Sequence, residues 1–266
     1  MNEYDEIDLV DLAFYCLKKW RRIVIIMFIF AVLMGVYEYQ ATNRENVSKS
    51  IILKERETKK AETEEKETKV TPITLEDPVV SAMKFSVLGS ITGAFLVVVL
   101  LILKYVMQGR LQSTKNFKRD FGIQLLGNVI IPEKRKRWFG FVDAWILKLE
   151  KGPYAKIPYE EQIKILAANV QNAISKKKSL KKIMFAGTIE KEDAEAVCQA
   201  LILEIEDVLF SEYKQIAFQA SALRELKNYD GIIFIERKGI SYSKYIRLEK
   251  EFVDEREVNI LGTIIL

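Results

Sequence analysis

The sequence contains no histidine. Histidine is the commonest general base near neutral pH and a frequent zinc ligand, so its absence excludes Ser-His-Asp catalysis, Cys-His catalysis and imidazole-based zinc sites. The two cysteines, Cys16 and Cys198, are far apart in the chain. The topology derived below places both on the reducing side of a membrane, so we expect free thiols that pack as small apolar groups rather than a disulfide.

A strong net charge is also missing. The 266 residues include 41 Lys and Arg against 37 Asp and Glu, which gives a formal net charge of +4. No overall basic field therefore favours nucleic acid as a partner. The length allows one medium-sized domain plus membrane segments, but not two large enzymatic domains.

Two long apolar runs are present. Residues 85–103 carry no charge and would span about 28 Å as a helix, which matches the hydrocarbon core of a bilayer. The run at 23–37 is shorter, but aromatic and basic residues that suit membrane interfaces flank it. We therefore predict transmembrane helices at 23–39 and 85–104. The acid-rich segment before the first run, and the lack of a small-residue cleavage site after it, argue against a cleaved signal peptide.

The distribution of lysine and arginine predicts the orientation. Basic residues cluster before the first run, at 18–22, and after the second run, at 104–119. Between the two runs, basic and acidic residues balance, and only Lys84 adjoins a membrane end. By the positive-inside rule, both termini are expected in the cytoplasm and residues 40–84 form a short external loop.

This loop is dominated by the alternating-charge run KERETKKAETEEKETK. A solvated helix and a disordered segment both fit that composition, and we favour a solvated tether over a specific ligand site. The loop has one apolar patch, Ile51–Leu53, which we interpret as a possible short strand. No folded external enzyme fits in so short a loop.

Two further patterns near the membrane predict contacts. Gly89 and Gly93 lie four residues apart on one face of the second helix, a spacing that favours close approach of a neighbouring helix. Residues 1–22 form a predicted amphipathic helix that can lie on membrane lipid at the cytoplasmic side, with Asp5 or Asp8 as its cap. Its apolar stripe consists of Ile7, Val10, Phe14 and Leu17.

Residues 105–157 are interpreted as a basic linker. Thr114 is placed to cap a short helix, and the apolar run Leu125–Ile131 follows it. The segment 135–151 has two open interpretations: an interfacial helix that touches lipid, or a helix that packs onto its own domain. Its large side chains are Trp138, Phe139, Phe141, Trp145, Ile146 and Leu149.

From residue 158 to residue 266, helical and strand patterns alternate. Near-continuous apolar strands separated by helices predict a small parallel sheet with helices on both faces. The predicted helices are Tyr159–Ser175, Glu192–Leu209, Ala222–Lys227 and Tyr242–Val253. On the first two, the predicted buried positions are Ile163, Leu166, Val170, Ile174, Ala196, Val197, Leu201, Ile205 and Val208. The predicted strands are Lys182–Ala186, Lys214–Phe218, Tyr229–Ile235 and Asn259–Leu266.

Three segments carry a pattern that is typical of one protein family: EIDLVDLAFYCLKKWRR, the entry from Pro78 into the glycine-containing second helix, and KNFKRDFGIQLLGNVIIP. Together they resemble the polysaccharide chain-length determinant (Wzz-type co-polymerase) family. The later part resembles the cytoplasmic domain of the partner bacterial tyrosine kinase, including its last strand, helix and strand, YDGIIFIERKGISYSKYIRLEKEFVDEREVNILGTIIL. There, a helix with the pattern Glu-x-x-Arg-x-x-Arg-Thr-Asn-Leu precedes the phosphate-loop strand. The positions that stand at those spacings here are Glu161, Lys164, Ala167, Ala168, Asn169 and Val170.

The chain departs from the kinase pattern at the phosphate loop. Such a loop needs glycines, a lysine for the phosphates and a hydroxyl for magnesium. After the strand at 182–186 only Gly187 and Lys191 match, and Glu192 takes the place of the hydroxyl. Asp193 and Glu195 are interpreted as acids that favour a helix N-terminus rather than as metal ligands. We therefore expect a degenerate phosphate-loop-like domain with no catalytic residue, metal or cofactor.

The resemblance implies a role at the bacterial cell membrane in the biosynthesis or export of a surface polysaccharide. We expect a non-enzymatic scaffold or regulator that forms homo-oligomers and binds a tyrosine kinase or a polysaccharide polymerase or export protein. Glu161, Lys164 and Asn169 are the predicted oligomerisation or docking residues. The short external loop lacks the sizeable external domain of the chain-length family, so function is expected to reside in the cytoplasmic domain. Two alternatives stay open: a membrane-anchored tyrosine autokinase or ATPase with an atypical nucleotide loop, and an unrelated two-pass anchor or sensor.

Overall fold

The computed structural model describes residues 8–62, 75–131, 139–177 and 180–266, without the side chains of residues 56–62 and 155. The chain divides into two compact units. One consists of Met1–Phe14 and Tyr105–Leu266, and the other of Tyr15–Lys104.

The helices and strands follow in chain order. The α-helices are α1 (Leu9–Lys18), α2 (Trp20–Glu62), α3 (Pro78–Met107), α4 (Phe117–Phe121), α5 (Gly140–Lys151), α6 (Tyr159–Ser175), α7 (Lys191–Glu204), α8 (Ala220–Glu225) and α9 (Ser243–Asp254). The strands are β1 (Leu125–Asn128), β2 (Lys182–Ala186), β3 (Leu209–Phe210), β4 (Gly231–Glu236) and β5 (Asn259–Ile265). Two 3₁₀ turns occupy Gly152–Lys156 and Leu226–Asn228.

The helices α2 and α3 are long and apolar enough to span a membrane, and few of their apolar residues are buried within the protein. This arrangement indicates membrane association. The helix α2 is much longer than its apolar run, because it has 43 residues and therefore rises about 65 Å.

The part of the predicted external loop next to the first apolar run is helical. Residues 40–62 continue α2 without a break, and the predicted strand at Ile51–Leu53 is wrong. Lys, Glu and Arg, which are good helix formers, surround that patch. The ion pair between Glu45 and Lys49, 2.8 Å long and one helical turn apart, adds local support. The rest of the charged run, residues 63–74, lies outside the described residues.

Strands β1 to β5 form one five-stranded sheet in the order β1-β5-β4-β2-β3, with every pair parallel. The predicted parallel sheet with helices on both faces is therefore confirmed. Alternate side chains of β2 enter two separate cores: Ile183 and Phe185 lie on one face, and Met184 and Ala186 on the other. We call these the α6/α7 core and the α4/α8/α9 core, after the helices that cover them.

Several predicted elements match the structure closely. Helix α6 and strand β2 have the predicted bounds, and Ile163, Leu166 and Val170 are buried as expected. On α7, Ala194 is buried and the predicted Ala196 is exposed. Cys198 is a buried free thiol, and Cys16 is also free.

Other predictions are wrong for identifiable reasons. Helix α7 ends at Glu204 rather than Leu209, because Leu209 and Phe210 pair with β2 as an edge strand. There the Phe210 ring stacks on Phe185, with centroids 4.8 Å apart. The predicted strand Lys214–Phe218 is reduced to a single bridge at Lys214, after which the chain turns.

The short helix α4 also begins later than expected. Asn116 occupies its N-cap position, without a side-chain cap bond, so Thr114 is not the cap. By contrast, Asp8 caps α1 as predicted: its carboxylate accepts hydrogen bonds from the N–H groups of Val10 and Asp11, at 2.9 and 3.4 Å. The alternative cap, Asp5, lies outside the described residues.

Candidate functional site

The sheet topology locates the candidate site. In open parallel sheets, ligands bind beyond the carboxyl ends of the strands, where the strand order reverses. Here the chain passes from β2 outward to β3 and then returns to β4 on the other side of β2. The crevice therefore lies between the loop that follows β2, residues 187–190, and the loop that follows β4, residues 237–241. We call these the β2 loop and the β4 loop.

The β2 loop lies directly against strand β4. A Cβ atom added to Gly187 would sit 2.1 Å from the carbonyl oxygen of Ile235 and 3.0 Å from the hydroxyl of Tyr213. Only glycine fits this close approach of two backbones. The glycine that matches the phosphate-loop pattern thus serves contact with the neighbouring strand.

Three consecutive N–H groups of the β2 loop donate to protein acceptors. The Gly187 N–H donates to the carbonyl of Lys214 at 3.2 Å. The Thr188 N–H donates to the Glu236 carboxylate at 3.2 Å, and the Ile189 N–H donates to the Tyr213 hydroxyl at 3.2 Å. A phosphate loop works because such groups point at the ligand. Here these donors are already hydrogen-bonded within the protein.

Glu236, the last residue of β4, occupies the position where an anionic ligand would be expected. Its side chain is fully buried and accepts a hydrogen bond from the Thr188 hydroxyl at 2.6 Å and another from the Ser241 hydroxyl. Burial raises the pKa of Glu236 to about 7, although the hydrogen bonds from Ser241 and Thr188 oppose the rise. The site therefore contains its own carboxylate, which disfavours a triphosphate.

A second buried carboxylate lies nearby on α9. Glu249 is fully buried and accepts a hydrogen bond from the Ala217 N–H at 3.3 Å. Burial raises the pKa of Glu249 well above its ordinary value, and the charge of Glu236 raises it further. Two carboxyl groups that interact in a dry interior resist double ionisation.

The charged residues of the phosphate-loop pattern are engaged elsewhere. The Lys191 ammonium lies 2.8 Å from the Glu212 carboxylate at the surface, and this hydrogen bond raises the lysine pKa. Asp193 pairs with Arg237 at 2.8 Å. Within the described part of the chain, no three residues of the His, Cys, Asp and Glu types are grouped so that they could hold a metal ion.

The β4 loop is tied to two distant segments through Lys238. Its ammonium lies 2.8 Å from the Asp11 carboxylate of α1 and 3.3 Å from the Glu150 carboxylate of α5. A second pair, Lys115 with Asp8 at 2.6 Å, lowers the pKa of Asp8. The segment before the first membrane helix therefore belongs to the α/β unit.

The predicted docking residues lie on α6. Glu161 and Lys164 are exposed on its surface. Asn169 is also exposed, and its side chain donates a hydrogen bond to the Leu126 carbonyl at 2.9 Å, so it joins α6 to β1. The neighbouring Gln162 is buried and accepts from the Ile130 N–H at 2.8 Å while it donates to the Ile157 carbonyl at 2.8 Å. All three predicted residues are therefore exposed on α6, and their role in docking or oligomerisation stays a prediction.

The predicted helix-packing glycines lie at the contact between α2 and α3. A Cβ atom on Gly89 would come within 2.7 Å of Met34, and one on Gly93 within 2.8 Å of Phe30. Gly35 on α2 is similarly close to Ser86. Small residues on both helices therefore let the two backbones approach closely.

Sequence analysis did not identify the buried polar residues of the crevice. Glu236, Glu249 and Tyr213 were not singled out, and neither was Lys238. One signal was available: Glu236 directly ends the apolar run Gly231–Ile235. A charge in that position, at the carboxyl end of a buried strand, is expected to face the crevice.

Comparison with known proteins gives little. No protein-family model and no curated protein matches this chain. Among solved structures, a crystal structure of the chimerical protein CapA2B2 is similar, with 8% sequence identity and a TM-score of 0.41. The match covers 57% of this chain and 98% of that chain. A similarity of this size carries no argument about function.

Proposed function

We propose that this protein is a non-enzymatic membrane scaffold or regulator in the biosynthesis and export of a surface polysaccharide, acting through its α/β domain. One observation carries the non-enzymatic part. The N–H groups of Gly187, Thr188 and Ile189 are bonded to Lys214, Glu236 and Tyr213. A domain of the kinase type with its phosphate loop closed in this way retains a folded surface for docking but loses its nucleotide cradle.

The polysaccharide assignment rests on the sequence resemblance to the chain-length determinant family and its partner kinase. The two apolar helices and the parallel α/β domain are compatible with that family's arrangement. We propose that both termini and the α/β domain are cytoplasmic, because basic residues cluster before the first apolar run and after the second. In this arrangement the partners are further copies of the chain, a tyrosine kinase, or a polymerase or export protein.

Nucleotide binding tests the non-enzymatic part. The full chain, reconstituted in lipid nanodiscs, is titrated with Mg-ATP in a calorimeter. We expect no saturable heat at concentrations up to about 1 mM, which corresponds to a binding free energy weaker than about −4 kcal/mol. Tight, saturable binding would contradict the proposal and favour the autokinase or ATPase alternative. The matched Lys191→Ala variant then reports whether such binding uses the phosphate-loop lysine.

The polysaccharide part needs a separate test. Deletion of the gene in its native host is expected to change the amount or length of a surface polymer, measured by gel electrophoresis of extracted polysaccharide. A chain with Glu161→Lys and Lys164→Glu should fail to restore the wild-type polymer, whereas Lys191→Ala should restore it. An unchanged polymer in the deletion strain, or a gene neighbourhood without glycosyltransferase, flippase and polymerase genes, would contradict this assignment.

A further inference from the structure

Helix α5 has an apolar face that points away from the domain. Phe141, Trp145 and Leu149 are one helical turn apart in succession, and their exposed fractions are 72%, 58% and 51%. Ile146, about 100° around the helix from the centre of this face, is 2% exposed. The sequence left open whether this helix touches lipid or packs on its own domain. In the structure a different face is buried, and Glu150 on that face contacts Lys238 of the β4 loop.

The charges of α5 are divided in the same way. Of the two acidic residues of α5, Asp143 is half-buried. Glu150 turns inward, where its side chain is 5% exposed and its carboxylate pairs with Lys238 of the β4 loop. Lys148 lies on the exposed face with the large apolar residues. The sequence just before the helix is also basic, with Lys134, Arg135, Lys136 and Arg137 in a row. The described outward surface is therefore apolar and carries Lys148, while Glu150 is buried.

We propose that the α5 face formed by Phe141, Trp145, Lys148 and Leu149 binds the surface of an anionic lipid bilayer. Aromatic and aliphatic side chains of such a helix enter the boundary between head groups and acyl chains, while lysines contact anionic head groups. The charge of this face complements an anionic surface, which distinguishes a bilayer from an apolar protein groove as its occupant. Because α2 and α3 anchor the same chain in a membrane, even weak intrinsic affinity suffices for stable contact.

Tryptophan fluorescence tests this contact in the intact protein. In a chain with Trp20→Phe and Trp138→Phe, Trp145 is the remaining tryptophan. The chain is reconstituted in nanodiscs of phosphatidylglycerol with or without brominated acyl chains. We expect brominated lipid to reduce Trp145 emission by about half, because the ring lies at the acyl boundary, and the aqueous quencher acrylamide to have little effect.

A matched control places the probe on another surface of the same domain. Leu203 on α7 is 81% exposed, so a chain with Leu203→Trp and all three native tryptophans replaced by Phe should be quenched by acrylamide and not by brominated lipid. If Trp145 behaves like this control, the proposal is overturned. If Trp145 is shielded from both quenchers, a protein surface covers α5 and the proposal is also overturned.

The anionic requirement has its own readout. Replacing phosphatidylglycerol by phosphatidylcholine should reduce the lipid quenching of Trp145 by about half or more, and so should Lys148→Gln combined with Lys151→Gln. Equal quenching in both lipids and in both chains would overturn the choice of an anionic surface.

Discussion

The two cores of the α/β domain are built from the same strands but differ in chemistry. On the α6/α7 side, the fully buried side chains around β2 and β4 are aliphatic or aromatic, such as Ile183, Phe185 and Leu201. On the α4/α8/α9 side, apolar residues pack beside two fully buried carboxyl groups, Glu236 and Glu249. Packing in the α6/α7 core depends on the shape and volume of its apolar side chains. The α4/α8/α9 core also depends on the protonation state of its acids.

The α4/α8/α9 core therefore departs from purely apolar packing. An ionised carboxylate in a dry interior is expensive unless it is paired. The α4/α8/α9 core contains its buried carboxyl groups near the carboxyl ends of β2 and β4. In folds of this type, ligands bind at that edge of the sheet. Glu236 joins the β2 and β4 loops by accepting hydrogen bonds from Thr188 and from the Ser241 hydroxyl. Glu249 accepts a hydrogen bond from the Ala217 N–H, which lies in neither loop.

The largest effect on the free energy of unfolding is expected from a substitution in the α6/α7 core. Leu201→Ala removes a fully buried side chain and should lower the free energy of unfolding by about 3 kcal/mol. The loss should be the same at pH 5 and pH 8, because no titrating group is involved. Pulse proteolysis of the full chain across a urea series, in detergent micelles, measures it. If the loss in free energy of unfolding changed with pH, it would contradict the proposed difference between the two cores.

The stability contributed by the α4/α8/α9 core should depend on pH. The pKa of each acid is raised on folding, so its favourable contribution is full at acidic pH and is lost as the pH rises through the folded-state value, about 7 for Glu236. The wild-type domain should therefore lose stability between pH 5 and pH 8. Glu249→Gln keeps an acceptor for the Ala217 N–H and should raise the free energy of unfolding at pH 8 by about 2 kcal/mol.

The same urea series provides the control for this substitution. At pH 5 the carboxyl group is already neutral, so Glu249→Gln should have little effect there. Equal effects at both pH values would show that folding does not raise the pKa of Glu249, and would contradict the comparison. Glu161→Gln, an exposed acid on α6, should change nothing at either pH.

The smallest effect on stability is expected at the surface. Glu161→Lys combined with Lys164→Glu reverses two exposed charges and should change the free energy of unfolding by less than about 0.5 kcal/mol. It should still reduce the recovery of an untagged copy with a tagged copy in membrane extracts, if α6 is the docking surface. Full recovery would remove α6 from the proposed interface.

Sequence reasoning predicted the elements whose pattern is local. Helix α6 and strand β2 have clear periodicities and obvious ends, and their bounds were predicted to the residue. The predicted end of α7 was wrong because the apolar spacing of Ile205 and Val208 continues the helical period. The helix stops for a reason remote in sequence, which is that Phe210 stacks on Phe185.

The candidate site was predicted only in part. The mismatch at the phosphate loop was visible from the residues around Lys191 and Glu192. The closure of that loop depends on acceptors from other elements, namely Glu236 at the end of β4 and Tyr213 after β3. Hydrogen-bond partners brought together by sheet order cannot be identified from spacing within one segment.

The ion pair between Asp11 and Lys238 joins residues 227 positions apart. A ribosome makes Asp11 before either membrane helix and Lys238 after both, so the pair forms only when nearly the whole chain has emerged. Its formation requires both residues to be on the same side of the bilayer. The contact of α1 with the β4 loop is therefore coupled to correct insertion, and a chain inserted with one helix missing would leave Lys238 without this carboxylate.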